Sequence, residues 1–145
     1  MKIRVLIVED DVDFCKEIES IISHLNSKIE ILTAQCQQSG EDQLGTGIFD
    51  LIILDLNIPT LDSSLDSSPD HGYHFFLRAK KTAPGTPILV LTGSTVEPFV
   101  DDLLDNSQKI DVWGNGAINR TVIFLKKYNF DQFPEIAKRI IVVVN

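Results

Sequence analysis

The segment Phe49–Pro59, FDLIILDLNIP, constrains the fold of this 145-residue chain more than any other stretch. Its middle part, Asp50–Leu54, is an apolar run without polar alternation, which is typical of a strand covered on both faces in a parallel sheet. Asp55 follows at the carboxyl end of that predicted strand, where open α/β sheets place their ligands. Because Asp is also common at the start of turns, this segment alone leaves both a functional carboxylate and a turn residue open.

Apolar segments alternate with amphipathic segments along the whole chain. The predicted strands are Lys2–Val8, Ile29–Ala34, Asp50–Leu54, Ile88–Leu91 and Thr121–Leu125. Helices are predicted near Phe14–Leu25, over Ser39–Leu44 and Tyr73–Lys81, near Val96–Leu104 and near Phe133–Val144. Helical spacing places Phe14 on the apolar face of the first helix, and we expect Tyr73, Phe76 and Leu77 to face inward in the third. The pattern predicts an α/β fold: a doubly wound, five-stranded parallel sheet with helices on both faces.

Composition limits the class of function. The chain carries 13 Lys and Arg against 21 Asp and Glu, a formal net charge of -8, which argues against a nucleic-acid or anionic-membrane surface. The N-terminal apolar run is too short for a signal peptide, and no stretch approaches a membrane span. Cys15 and Cys36 are too few for a metal or disulfide framework, so we expect structural thiols in a reducing cytoplasm.

Two stretches interrupt the alternation. Leu61–Gly72 is rich in Ser and Asp and predicts a mobile loop rather than a domain linker. Asn106–Asn119 holds two glycines and the single Trp, and could contain a short extra strand or turn. His71 and His74 are spaced like a ligand pair, but without a third ligand we expect ordinary loop and helix-start residues. We therefore expect one domain over 1–145 with loop insertions near 61–72 and 106–119.

Polar residues follow the predicted strands that we place centrally. They are Glu9, Asp10 and Asp11, then Asp55, Thr92, and Lys126 or Lys127. The carboxyl ends of parallel strands share one edge, so these side chains can converge. A helix cap accounts for one or two of the first three acids but not for all of them.

That set of groups suits phosphoryl transfer. Mg²⁺ binds carboxylates, water and phosphate oxygens, a lysine can meet a phosphoryl oxygen as a point charge, and a Thr hydroxyl can donate to another. One carboxylate then remains as the nucleophile that forms an aspartyl phosphate. Phosphoryl transfer needs alignment and charge neutralisation more than covalent help from the protein.

Four motifs carry a resemblance to a known family: VLIVEDD at Val5–Asp11, DLIILDLNIP at Asp50–Pro59, ILVLTGS at Ile88–Ser94 and FLKK at Phe124–Lys127. Together they resemble the receiver domain of two-component response regulators, the family that includes the chemotaxis regulator CheY. The resemblance covers nearly the whole chain. It implies a single receiver domain with a flavodoxin-like or CheY-like fold and the strand order 2-1-3-4-5.

The resemblance also implies roles for individual residues. It makes Asp55 the phosphoacceptor, and it gives Mg²⁺ the ligands Glu9, Asp10, Asp55 and the backbone carbonyl of Asn57. Thr92 matches the switch hydroxyl and Phe124 the switch aromatic. The lysine matches Lys127 better than Lys126, because the family pattern is aromatic-x-x-Lys.

By the same resemblance, the chain is a cytoplasmic signalling domain that catalyses only its own phosphorylation and dephosphorylation. A sensor histidine kinase, a histidine phosphotransfer protein or a small phosphodonor would supply the phosphoryl group. The charge change would remodel the face formed by the predicted helix near Val96–Leu104, the fifth strand and the last helix, for a downstream protein target. A stand-alone regulator or phosphorelay intermediate is expected, and a homodimer is left open.

The chain also departs from the family pattern. Tyr128 stands where Pro usually follows the lysine, which keeps Lys126 as an alternative; Gly93 replaces the commoner Ala. The loops after Asp55 and before Lys127 are longer than usual, and we expect deletion of Asp62–Asp70 to leave phosphorylation intact.

Two other interpretations are weighed. One is a pseudo-receiver, a binding module that works without phosphorylation, which the filled acidic, hydroxyl and lysine positions argue against. The other is a phosphatase or nucleotide-binding enzyme on a similar sheet. The chain lacks the GxxxxGK[ST] and GxGxxG motifs, and Asp55-Leu56-Asn57 lacks the second Asp of DxD hydrolases.

Overall fold

The computed structural model describes residues 2–93, 109–110, 119–120 and 122–144. The strands in these ranges are β1 (Ile3–Val8), β2 (Ile29–Ala34), β3 (Leu51–Asp55), β4 (Ile88–Thr92), β5 (Lys109–Ile110), β6 (Asn119–Arg120) and β7 (Val122–Lys126). The α-helices are α1 (Val12–Ser23), α2 (Gln37–Leu44), α3 (Pro69–Thr82) and α4 (Phe133–Val144), and a 3₁₀ helix spans Lys127–Gln132. The helix predicted near Val96–Leu104 lies outside the described residues.

Five strands form one parallel sheet in the order β2-β1-β3-β4-β7. Since β7 is the fifth strand of this sheet in chain order, the predicted order 2-1-3-4-5 is confirmed. The register between β1 and β3 pairs Val8 with Leu54. Glu9 and Asp55, the next residues, therefore come side by side at the carboxyl edge.

Helices cover both faces of the sheet, and each face has its own core. Alternate β1 side chains enter different cores, Val5 and Ile7 one, Leu6 and Val8 the other. The first core includes residues of α1 and α4, and the second includes residues of α2 and α3. The uninterrupted apolar runs noted in the sequence are thus strands buried on two sides.

Residues at the helix starts explain where α1 and α2 begin. Asp11 caps α1, and its Oδ1 accepts a hydrogen bond from Phe14 N at 3.1 Å. Cys36 caps α2 through its sulfur, which accepts a hydrogen bond from Ser39 N at 3.4 Å. Cys15 and Cys36 are both buried free thiols, in agreement with the structural role expected for them.

Helix α3 differs from its prediction at both its start and its inward face. It begins at Pro69 rather than Tyr73, with Ser68 as the N-cap, because a capping Ser followed by Pro in the first turn starts a helix as readily as it marks a loop. Phe75 and Phe76 are buried, whereas Leu77, predicted to face inward, is exposed. His71 and His74 consequently lie inside the helix.

The segment before α3 makes specific hydrogen bonds, and the mobility expected of Leu61–Gly72 from its composition stays a prediction. Thr60 N and Oγ1 donate to Asp66 Oδ1 and Oδ2 at 3.0 and 2.5 Å. Pro59 and Thr60 carbonyls accept from Gln37 N and Gln38 N at the start of α2, at 2.9 and 3.0 Å. The insertion predicted near 61–72 thus overlaps the first turn of α3, and deleting Asp62–Asp70 would remove the α3 cap.

Within the other predicted insertion, 106–119, the structure describes short pieces of strand. β5 and β6 pair antiparallel in a separate two-stranded sheet, with Lys109 opposite Arg120 and Ile110 opposite Asn119. Of the two alternatives left open for this region, a short extra strand or a turn, the structure shows short strands. In the described ranges, no helix combines the length and the apolar character that crossing a bilayer requires.

Candidate functional site

Three carboxylates meet at the carboxyl edge of the sheet. Oxygen atoms of Glu9, Asp10 and Asp55 all lie within 4.8 Å of one another. Glu9 and Asp55 are buried, with 1% and 5% of their surface exposed, whereas Asp10 is exposed. The strand register produces this cluster directly, since Glu9 follows β1 and Asp55 ends the neighbouring β3.

The two oxygens of Glu9 have different surroundings. Oε1 accepts a hydrogen bond from Asp11 N at 3.1 Å. Oε2 is buried and has no hydrogen-bond partner among the described residues, although it lies 3.4 Å from Lys127 Nζ. Burial and the neighbouring Asp55 carboxylate outweigh the attraction of Lys127 and raise the pKa of Glu9 to about 8. Burial thus favours the protonated form of Glu9 when no cation is bound.

Asp55 is held through both of its oxygens. Oδ1 accepts from Asn57 N at 3.1 Å, and Oδ2 accepts from Lys127 Nζ at 3.0 Å. Asn57 is exposed, and its carbonyl as a metal ligand stays a prediction. Burial and the Asp55 carboxylate raise the pKa of Asp10 above its usual value.

The structure brings Lys127 to the carboxylates and places Lys126 elsewhere. Lys127 Nζ lies within ion-pair distance of both Asp55 and Glu9, whereas Lys126 Nζ lies over the ring of Tyr128, 5.7 Å from its centroid. Burial alone would lower the pKa of Lys127, but the two carboxylates outweigh it and raise that pKa. Lys127, the lysine in the aromatic-x-x-Lys spacing, is thus the one that lies at the cluster, and its role toward a phosphoryl group stays a prediction.

The turn that carries Lys127 is built without a cis peptide bond, since the described residues contain none. Lys127 instead begins the 3₁₀ helix, followed by an exposed Tyr128. On its other side, Lys127 Nζ lies over the ring of Phe14, 4.8 Å from its centroid. The sequence placed Phe14 only on the apolar face of α1, because helical spacing says nothing about a partner so distant in the chain.

The structure describes the two predicted switch residues, Thr92 and Phe124, to different extents. Thr92 ends β4 and pairs in register with Lys126, so its backbone is at the carboxyl edge, while its side chain lies outside what the structure describes. Phe124 lies in β7 and pairs in register with Val90 of β4. It is half-buried and packs against the core on the α2 and α3 side. Their roles as switch residues stay predictions.

His71 and His74 do not join a cluster of metal-binding side chains among the described residues. His71 Nδ1 lies 2.8 Å from the carbonyl oxygen of Ile58. It therefore links α3 to the segment after β3, which is a structural contact.

The donor set at the carboxyl edge fits a small oxygen-binding cation. Three carboxylates within 4.8 Å would repel one another if all were ionised, and the buried Glu9 Oε2 lacks a hydrogen bond in the described part of the chain. Mg²⁺ is bound in proteins through one or two carboxylates together with water and phosphate. A cation near Asp10 would also remain accessible, because Asp10 lines an open cavity of about 210 Å³ with Gln35, Pro59, Ser63 and Ser64.

Comparisons with known proteins agree with this geometry. The sequence model of the response regulator receiver domain matches residues 5–109, a range that contains Glu9, Asp10 and Asp55 and ends before Lys127. No curated protein sequence matches the chain.

Solved structures with the same fold match nearly the whole chain, including β7, which lies beyond residue 109. The signal receiver domain of a DNA-binding response regulator from Colwellia psychrerythraea 34H is 20% identical, with a TM-score of 0.70 over 97% of this chain and 99% of the other. The non-phosphorylated HemR receiver domain from Leptospira biflexa is 21% identical, with a TM-score of 0.68 over 97% and 94%. NtrX from Brucella abortus is 20% identical, with a TM-score of 0.67 over 99% of this chain and 28% of NtrX.

Proposed function

This chain belongs to the response regulator receiver domain family, and on that basis we propose that it is a phosphorylatable switch whose acceptor is Asp55. The observation that carries the proposal is the contact of Asp55 Oδ2 with Lys127 Nζ at 3.0 Å, inside a cluster of three carboxylates. A signalling domain of this kind is not an enzyme with turnover of an external substrate. Its chemistry is confined to its own phosphorylation and dephosphorylation.

In the proposed reaction, an oxygen of the Asp55 carboxylate attacks the phosphorus of a phosphohistidine or an acyl phosphate. A P–O bond to Asp55 forms while the P–N or P–O bond of the donor breaks, and the bonding pair leaves with the imidazole, which takes up a proton, or with the carboxylate. The product is an aspartyl phosphate. The leaving group needs no further acid from this chain when it departs as a carboxylate.

The residues around Asp55 have separate tasks in this proposal. Lys127 keeps a positive charge beside the acceptor and meets a phosphoryl oxygen. Glu9, Asp10, Asp55 and the carbonyl of Asn57 would hold Mg²⁺, which neutralises charge on the phosphoryl oxygens during transfer. Thr92 would donate its hydroxyl to the phosphoryl group, and Phe124 would change its packing in response.

We extend the proposal to the setting of the domain. A sensor histidine kinase or histidine phosphotransfer protein in the cytoplasm would supply the phosphoryl group. The whole of 1–145 would act as one receiver domain, and phosphorylation would bias a two-state protein-interaction surface toward a downstream protein target. Formation of a homodimer through that surface is compatible with the same scheme.

The test is the intact mass of the protein after incubation with acetyl phosphate and Mg²⁺. We expect one phosphoryl adduct that hydroxylamine removes, since hydroxylamine cleaves acyl phosphates. The adduct should be absent in Asp55→Asn and present in Asp62→Asn, a matched change of an Asp in the adjacent loop.

Two other outcomes would contradict the proposal in different ways. An adduct that persists in Asp55→Asn would assign the acceptor to another residue. The absence of any adduct together with the absence of Mg²⁺ binding would favour the pseudo-receiver, a protein-binding module that works without phosphorylation.

A further inference from the structure

The ammonium group of Lys127 must reach across the sheet to meet its partners. Lys127 directly follows β7, whereas Asp55 ends β3 and Glu9 follows β1, and β4 lies between β7 and β3 in the strand order. The Lys127 side chain is 35% exposed and spans this gap with four flexible carbons. A lysine in such a position has considerable rotamer freedom to lose, so its placement needs support beyond the carboxylates.

The ring of Phe14 provides a third contact for the ammonium. Lys127 Nζ lies 4.8 Å from the ring centroid, within the distance at which the negative face of an aromatic ring attracts a cation. The two carboxylate contacts draw the ammonium toward the metal-binding side chains. The ring therefore limits the positions that the ammonium can occupy.

Phe14 is itself fixed from two directions. Its backbone N–H donates to the capping Asp11 Oδ1 at 3.1 Å, and Asp11 N donates to Glu9 Oε1 at 3.1 Å. Its ring packs on Phe130 with centroids 4.8 Å apart, and Phe130 stacks on the fully buried Phe133 at 4.9 Å.

These contacts connect Glu9, Asp11, Phe14 and Lys127 in a closed ring of neighbours. One end of the Glu9 carboxylate fixes the start of α1 through Asp11, and the other end lies 3.4 Å from the ammonium that the Phe14 ring covers. Phe130, in the 3₁₀ helix begun by Lys127, joins the lysine's own turn to the same ring. The start of α1 and the 3₁₀ helix after β7 therefore both fix the Phe14 ring beside the ammonium.

We propose that Phe14 is a positioning residue that keeps the Lys127 ammonium beside Asp55 and so accelerates phosphorylation, an inference that rests on the proposed function for its kinetic part. Phe14 acts through Lys127 and touches no reacting atom. The Phe14 side chain should therefore affect the rate of phosphorylation only when Lys127 is present.

The first test needs no phosphorylation. An ammonium stem over a ring face experiences a ring current, so we expect the Hε protons of Lys127, assigned by their loss in Lys127→Met, to resonate upfield of the usual position of lysine Hε protons. The shift should disappear in Phe14→Leu, which keeps apolar bulk on α1, and return in Phe14→Tyr, which keeps the ring. A Lys127 signal without any upfield shift in the wild-type protein would overturn the placement.

The second test is a double-mutant cycle on the rate of phosphorylation by acetyl phosphate with Mg²⁺. Loss of an exposed cation–π contact predicts that Phe14→Leu slows the reaction about two- to five-fold, and that Phe14→Tyr restores it. In a Lys127→Met background the same change should have no effect, because the group that Phe14 positions is gone. Thermal unfolding of each variant separates this effect from loss of folded protein.

The outcomes distinguish the two proposals. An equal rate in Phe14→Leu and wild type, or the same slowing with and without Lys127, would overturn the positioning role while leaving the receiver function in place. A wild-type protein that takes up no phosphoryl group would overturn the proposed function, and the ring-current shift would then decide the placement of Lys127 by itself.

Discussion

Lys127 Nζ lies 3.0 Å from Asp55 Oδ2, although 72 residues separate the two in the sequence. The contact exists because β3 and β7 send their carboxyl ends to the same edge of the sheet. The Lys127 ammonium partly neutralises the same carboxylates that a divalent cation would neutralise, so the lysine and the cation repel each other at this site. Changes at Lys127 should therefore alter metal binding and phosphorylation in opposite directions.

We predict that Lys127→Met raises Mg²⁺ affinity about five- to thirty-fold, because a unit charge a few ångströms from a divalent cation costs about 1–2 kcal/mol even in water-like surroundings. The same variant should slow phosphorylation by acetyl phosphate. Calorimetric titration with Mg²⁺ and intact-mass kinetics measure the two effects. Lys126→Met is the matched control, since Lys126 Nζ lies over Tyr128 rather than at the carboxylates, and an equal effect there would contradict the assignment of Lys127.

The raised pKa of Glu9 predicts how stability depends on pH. Its pKa rises from 4.5 to about 8 on folding, so the folded state binds more protons than the unfolded state between these values. The free energy of unfolding without metal should therefore fall as the pH increases through this window. Thermal melts in a chelator should show this slope, and Glu9→Gln, which cannot ionise, should reduce it. An unchanged slope in Glu9→Gln would assign the pH dependence to another group.

Mg²⁺ should reverse this fall in stability with increasing pH, because a carboxyl group must lose its proton before it can bind the metal. We predict that a fixed concentration of Mg²⁺ raises the melting temperature more at pH 8 than at pH 6. The Glu9→Gln variant should lose most of the difference between the two pH values. A larger Mg²⁺ effect at pH 6 would argue against Glu9 as a ligand.

Two helical glycines offer a matched pair for packing. A Cβ on Gly72 would lie 2.3 Å from backbone atoms of Leu56, whereas the nearest atoms to one on Gly40 would be side-chain atoms of Val8 and Phe75 at 3.5 Å or more. We predict that Gly72→Ala destabilises the protein by about 3 kcal/mol or more, as overpacking against backbone does. Gly40→Ala should be neutral or stabilise by about 0.5–1 kcal/mol through helix propensity. Urea denaturation measures both, and similar values would contradict the close approach of α3 to Leu56.

The contact between Thr60 and Asp66 predicts local order in the loop after β3. Asp66→Asn weakens the hydrogen bonds from Thr60 N and Oγ1, so the Thr60 amide should exchange with deuterium faster. Phosphorylation by acetyl phosphate should be unchanged, because the pair lies outside the acidic cluster. Asp62→Asn, in the same loop, serves as the control. A slower phosphorylation of Asp66→Asn would instead make the loop part of the site.

The sheet could be predicted well because its central strands are apolar on both sides and its edge strand β2 is mainly apolar despite Glu30 and Thr33. β2 was predicted with its observed bounds, Ile29–Ala34, and β3 was displaced by one residue. The positions of Glu9, Asp55 and Lys127 followed, since the ends of parallel strands meet at one edge.

The start and orientation of α3 could not be predicted in the same way. Ser68 and Pro69 suit both a loop and a helix start, and the close contact of Gly72 with Leu56 is a tertiary feature that the sequence does not reveal. The burial of Phe75 and the exposure of Leu77 depend on how α3 packs against the sheet. Phe14 was likewise assigned to a helix face, because its contact with Lys127 depends on the tertiary arrangement of α1 and the turn after β7.

The pairing of Val8 with Leu54 gives β1 and β3 little tolerance for insertions or deletions. Adding or removing one residue in either strand would turn its remaining side chains to the opposite core and displace Glu9 or Asp55 by about 3.3 Å along the strand. The protein could not accept such a change by repacking alone, because the acidic cluster would separate at the same time. Length variation among proteins that keep this chemistry should therefore be confined to the connections, where this chain carries its own long loops.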